Sequence, residues 1–205
     1  MTQLTDDIEL LEASRSQQRR SAAKRLRKLG DIAAGPALLA RLTVEVHDVR
    51  TWETQYELIM ALAECRYTEA LSFLETFSRT TLEATMIYVA IGDALVRLQA
   101  DADDQISCIL KLMRSGNNSL ADGAFRAMAM LKITPSEKDI LQITDFVSRF
   151  ELDHGIRFWP LAAAPGWDKN LTAEYIRDCS RSTREDLQEA AKLAAAGKYK
   201  NWRPL

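Results

Sequence analysis

Residues 19–42 read RRSAAKRLRKLGDIAAGPALLARL. Ala22, Ala23, Leu26 and Leu29 recur at three- and four-residue intervals, which sets them on one face of a helix. Gly30-Asp31 interrupts the pattern, Gly35-Pro36 punctuates it again, and Leu38 and Leu42 then belong to a second amphipathic helix over roughly 36–46. A lone helical hairpin cannot bury both of its apolar faces, so this stretch requires similar neighbours.

The rest of the chain supplies them at a fixed interval. Leu26, Leu62, Leu95, Met128, Leu161 and Leu193 occupy equivalent places, with spacings of 36, 33, 33, 33 and 32 residues. Three residues later runs a second column, Leu29, Cys65, Leu98, Leu131, Ala164 and Ala196, all small or apolar. Ala61, Ala94 and Ala127 precede the first column and allow close helix approach. Each period ends in a second helix, roughly 36–46, 69–78, 104–114, 136–150 and 170–180. The expectation is an all-α fold, an α-solenoid of about five antiparallel helix pairs with end-capping helices. It forms one domain over 1–205, with repeats at 17–47, 51–79, 82–115, 119–151 and 155–181 and a C-terminal cap at 183–205. Asp6 to Ser14 would cap one end, and Tyr199 and Trp202 would close the other.

The quoted stretch resembles the short HEAT-like repeat of the phycobilisome-lyase (PBS-lyase) type, R-x-x-A-A-x-x-L-x-x-L-G-D-x-x-A-x-x-x-L-x-x-x-L. Arg19, Ala22, Ala23, Leu26, Leu29, Gly30, Asp31, Ala34, Leu38 and Leu42 fill its named positions. The next unit keeps Ala61, Leu62, Ala70 and Leu74, lacks the arginine, and has Arg66-Tyr67 in place of Gly-Asp. Later units keep the hydrophobic columns, and Pro160 falls inside a first helix that it should bend. The resemblance implies a curved superhelix whose second helices line the concave side. Similar repeats occur in scaffolds, bilin lyases, a DNA glycosylase group and small bacterial partner-binding proteins, so fold alone does not name an activity.

Composition narrows the classes. Of 205 residues, 47% are hydrophobic, enough for a sizeable core, and 27 Lys and Arg against 29 Asp and Glu leave no global field to attract nucleic acid. Cys65, Cys108 and Cys179 are far apart and lack CxxC spacing, which argues against disulfides and zinc and points to a reducing, cytoplasmic compartment. No signal peptide or membrane span is readable. His47 and His154 lie beside Asp48 and Asp153 at helix ends, too far apart in sequence for a metal site. No catalytic motif or cofactor loop is present, and Asp6-Asp7 and Asp103-Asp104 suit the dipoles of helix starts.

What these observations predict is a non-catalytic protein-binding scaffold, narrowed to a toxin-neutralising (immunity) protein whose partner is a toxin or effector. The resemblance also allows a bilin lyase handling a chromophore, or a nucleic-acid-binding or DNA-repair protein. The last would use the basic run Arg15, Arg19, Arg20, Lys24, Arg25, Arg27 and Lys28. Against it, the next repeat offers Glu53, Glu57, Glu64, Glu69 and Glu75 instead of further cations. Partner-binding residues are expected on the polar faces of the second helices: Arg41 and Glu45, Asp104 and Lys111, then Lys138, Gln142, Asp145 and Arg149, then Glu174, Arg177 and Arg181. Trp167, opening the polar turn WDKN, is expected as an exposed anchor.

Overall fold

A computed structural model describes residues 3–200, and within them the chain is helical with no strand. Trp202 lies outside the described residues. The chain forms two compact units, Met1–Asp101 and Ala102–Leu205. No helix among the described residues is long and apolar enough to cross a membrane.

In the first unit, α2 (Ser16–Leu29), α4 (Trp52–Glu64) and α6 (Thr85–Arg97) pack side by side as one layer. Against it lie α1 (Gln3–Leu10) on α2, α3 (Gly35–Glu45) on α4 and α5 (Leu71–Phe77) on α6. The second unit repeats the plan. One layer holds α8 (Asn118–Met130), α10 (Phe158–Ala163) and α12 (Glu185–Ala195). The other holds α7 (Ala102–Met113), α9 (Glu137–Ser148) and α11 (Lys169–Cys179). The expected second helices therefore stand where the periodicity put them, within a residue or two at each end.

The self-aligning column has a structural meaning. Leu26, Leu62, Leu95, Met128 and Leu161 are buried, whereas Leu193 is half-buried and Ala194 takes the interior place beside it. From Leu62 to Leu193 each column residue stands two positions before the end of its helix, and Leu26 stands three before the end of α2. In three helices its carbonyl accepts the closing bond of the terminal turn: Tyr67 N–H to Leu62 O at 3.1 Å, Ile133 N–H to Met128 O at 3.0 Å, and Lys198 N–H to Leu193 O at 2.9 Å. That closure needs a left-handed residue just before the donor. Arg66, Lys132 and Gly197 supply it, with φ of 52°, 55° and 66°; Gly30, at φ 64°, ends α2 in the simpler way, its own N–H donating to Leu26 O at 3.0 Å. Arg66 thus adopts the conformation of Gly30, the position where the repeat pattern has glycine. The second column is less interior than expected: Cys65, Leu98 and Ala164 are buried, but Leu29, Leu131 and Ala196 are exposed.

A polar column seven residues before the first serves the opposite end of these helices. Arg19 Nη1 donates to Ala13 O and Ser14 O, both at 2.8 Å. Gln55 Nε2 donates to Glu45 O at 2.9 Å and Asp48 O at 3.0 Å, and the Tyr88 hydroxyl donates to Thr80 O at 2.6 Å. Each side chain satisfies carbonyls of the turn that precedes its own helix, groups that would otherwise be costly to bury. The second repeat lacks the arginine of the pattern but Gln55 performs its work.

Pro160 does not sit mid-helix. It falls in the first turn of α10, where a missing N–H removes no intrahelical bond. The first helix there is shortened to six residues, with 3-10 turns at Gly155–Arg157 and Ala164–Gly166 on either side. The buried Arg157 guanidinium closes the end of α9 by donating to Ser148 O at 3.0 Å and Phe150 O at 2.6 Å.

Candidate functional site

The basic run of α2 is spent inside the first unit. Arg19 pairs with Glu45 of α3, Arg20 with Glu53 of α4, and Arg25 with Asp7 of α1 at 2.6 Å. Lys24 and Arg27 both approach Glu57 of α4, at 3.6 Å and 3.4 Å. Five of the seven cations therefore face acids from neighbouring helices. A phosphate backbone would have to displace these acids before gaining anything from the cations.

The same pairing revises two of the expected contact residues. Glu45 was placed on the outer face of α3, but it is only 2% exposed, bound to Arg19 and with Arg41 Nε 3.0 Å away. A buried arginine on α2 has drawn the acid inward, because a buried charge is tolerable only with its counter-ion. Arg41 follows, half-buried between Glu45 and Glu12. Trp167 is not an exposed anchor either. It is 4% exposed, and its indole Nε1 donates to Ile133 O at 3.2 Å, so it joins the end of one first helix to the next repeat's turn.

The remaining expected residues keep an outward position in the second unit. Lys111, on α7, and Lys138, Asp145 and Arg149, on α9, are exposed, as are Glu174 and Arg177 on α11 and Arg181 just after it. Gln142 is half-buried and accepts from Arg114 Nη2 at 2.6 Å while donating to Asp139 at 3.2 Å. Arg149 pairs with Asp145, and Arg181 lies 3.6 Å from Asp178. α9 packs beside α11, so their charges form one mixed surface. In the first turn of α7, Asp104 is exposed.

A second feature was not expected. In the second unit a cleft of about 460 Å³ opens where the N-terminal ends of α8, α10 and α12 meet. α8 contributes Asn118, Ser119 and Asp122; the turn before α10 contributes His154, Gly155 and Ile156. Phe158 and Trp159 form an aromatic wall, their rings edge to face at 5.0 Å between centroids. α12 contributes the bidentate pair of Arg184 and Asp186, with Nε to Oδ1 at 3.0 Å and Nη2 to Oδ2 at 2.6 Å. Arg184 Nη1 also donates to Asp153 O at 3.3 Å, which ties α12 to the turn before α10. His154 accepts the Ile156 N–H at Nδ1, 3.2 Å, so the neutral ring carries its hydrogen on Nε2.

The charges in this cleft do not balance one another. Asp122 Oδ1 is buried and receives no hydrogen bond. Burial raises the carboxyl pKa to about 6, against the opposing pull of Arg126 and Arg184. Arg184 is held more firmly protonated, first by its hydrogen bond to Asp186 and then by the charges of Asp186, Asp153 and Asp122, which outweigh its desolvation. Asp153 is lowered by hydrogen bonds from Ser182 and Thr183, at 2.6 Å and 2.7 Å from their hydroxyls.

One signal could have found this cleft. His154 and Asp186 stand seven residues before Leu161 and Leu193, the place held by the carbonyl clamps of the first unit, and Asp122 is next to the third such position, Ala121. In this unit that column leaves the loop carbonyls and lines an opening.

No family model matches the chain, and no curated protein matches it. Among solved structures, it is similar to two crystal structures of engineered proteins from the Northeast Structural Genomics Consortium. One has a TM-score of 0.49 and 17% identity over 96% of this chain and 98% of that one. The other has a TM-score of 0.40 and 17% identity over 97% of this chain and 99% of that one.

Proposed function

We propose that this chain is a non-catalytic scaffold built as a HEAT-like α-solenoid, which engages a partner protein through the exposed faces of its second helices. The observation that carries this reading is the contrast between two sets of charges. Those of α2 are consumed by acids of α1, α3 and α4, whereas Lys138, Asp145, Arg149, Glu174, Arg177 and Arg181 stand exposed on neighbouring elements. A rigid helical layer presenting both signs favours a complementary protein surface, for which charge supplies specificity and on-rate. The regular 33-residue step and the two-layer packing in each unit support the repeat architecture.

Within this class the narrower reading is a protein that masks one toxin or effector. Its test is affinity capture from the native cell by the full chain, followed by measurement with the purified partner. The expected result is a stoichiometric protein whose Kd rises about tenfold or more when Lys138, Arg177 and Arg181 are all replaced by Glu, chiefly through slower association. Recovery of no stoichiometric protein, or an affinity unmoved by the triple replacement, overturns it.

A further inference from the structure

We propose that α9 is the centre of a symmetric contact between two copies of this chain. The two α9 helices lie antiparallel, with Leu141 at the two-fold axis and Lys138 of each copy facing Asp145 of the other. The inference goes beyond the scaffold reading and needs no other protein.

The outer stripe of α9 is formed by Lys138, Leu141, Asp145 and Ser148, all exposed and spaced three or four residues apart. Leu141 is 51% exposed, and among the described residues it is the one large apolar side chain so exposed on α7, α9 or α11. A single exposed leucine is ordinary by itself, and its surroundings are what select an occupant. Lys138, three residues before it, has no ion-pair partner among the described residues, and Asp145, four residues after it, pairs with the exposed Arg149. An apolar point flanked by opposite charges has the composition of an interface core and its rim.

Those two charges are complementary to their own copies. Positions 138 and 145 are equidistant from a point between Leu141 and Gln142. A two-fold axis through that point reverses the second helix and brings Lys138 of each copy level with Asp145 of the other. Their angular positions agree as well: seven residues are two turns of helix less about 20°, so both side chains stand on the same flank of the stripe. Glu137 projects from the other flank, about 100° from Lys138, and meets the Ser148 side of the second copy. A parallel pairing would instead set like charges at the same level. α9 packs against both α7 and α11, so it is the middle helix of its layer and the flanking helices add contact on either side. α9 itself spans only 12 residues, so the pairing is of the weak, reversible kind.

Sedimentation velocity of the intact chain over roughly 1–500 µM reads the association, and a reversible dimer is expected with Kd on the order of 10 µM. Leu141→Ser, Lys138→Glu and Asp145→Lys should each raise that Kd about tenfold or more, with helix content by circular dichroism unchanged because all three positions are exposed. The deciding sample is an equimolar mixture of Lys138→Glu chains with Asp145→Lys chains. Each variant alone sets like charges against each other, whereas the mixture restores two opposite-charge contacts and should dimerise with about the wild-type Kd. Misfolding of either variant could not be repaired by mixing, so recovery in the mixture supports the α9 pairing. A wild-type chain that stays monomeric throughout, a dimer whose Kd is unmoved by the three variants, or a mixture no tighter than its separate components overturns the proposal.

Discussion

At the scale of single residues, conformation and charge place demands that residue type alone does not announce. Arg66 sits at φ 52°, a left-handed conformation that costs an L side chain roughly 1 kcal/mol and costs glycine almost nothing. Because Arg66 is exposed and holds the left-handed conformation that Gly30 holds at the end of α2, Arg66→Gly should stabilise the protein by about 0.5–1 kcal/mol in urea denaturation. A loss of stability would mean that the larger chain entropy of glycine outweighs the relief. Asp122 makes a second demand. Its pKa rises from 3.8 in the unfolded chain to about 6 when folded, so the folded state favours the protonated carboxyl. Stability from this group is therefore complete below about pH 3.8 and is lost as pH climbs to 6, by about 3 kcal/mol at most. Arg126, Arg184, Asp186 and His154 face or border it. Comparing wild type with Asp122→Asn isolates the term: the variant should be the more stable at pH 8, and the two should converge toward pH 4. A constant difference across that range would sink the assignment. Neither position was legible beforehand. Arg66 reads as a departure from Gly-Asp, and Asp122 reads as an ordinary acid early in a helix.

At the scale of helices, most boundaries could be read because period, breaks and capping agree. Asn117 caps α8 by accepting from Ser119 N and Leu120 N, Ser136 caps α9, and Asp168, in the polar turn WDKN, caps α11. What could not be read is which charged face turns inward. The spacing of Arg41 and Glu45 is that of an outer ridge, and only the arrival of Arg19 from α2 makes Glu45 interior. The inward turn of Trp167 escapes the sequence for the same reason, since the partner it meets, Ile133 O, lies 34 residues away. A buried pair of this kind is worth little beside a hydrophobic replacement but is expensive to halve. Glu45→Ala should therefore cost about 3 kcal/mol, and Arg19→Met with Glu45→Met should lose less than the sum of the single losses, though Ala13 O and Ser14 O then lack their donor. Additive losses in the double variant would show that the two side chains act separately.

At the scale of the molecule, the repeat was visible in one column of leucines because packing tolerates only apolar residues at the last interior turn of each helix. The cleft was harder to read, because its members come from three repeats and only the changed polar column at His154 and Asp186 hints at it. The ion pairs of α2 bear on how such a gene can change length. Repeat arrays commonly grow when recombination copies one unit beside itself. Here a copied α2 would stand where α4 now stands, and on the 36-residue offset it would offer Gln17 and Ser21 in the places of Glu53 and Glu57. Arg20, Lys24 and Arg27 would then face no acid, so duplication at this end is opposed by charge.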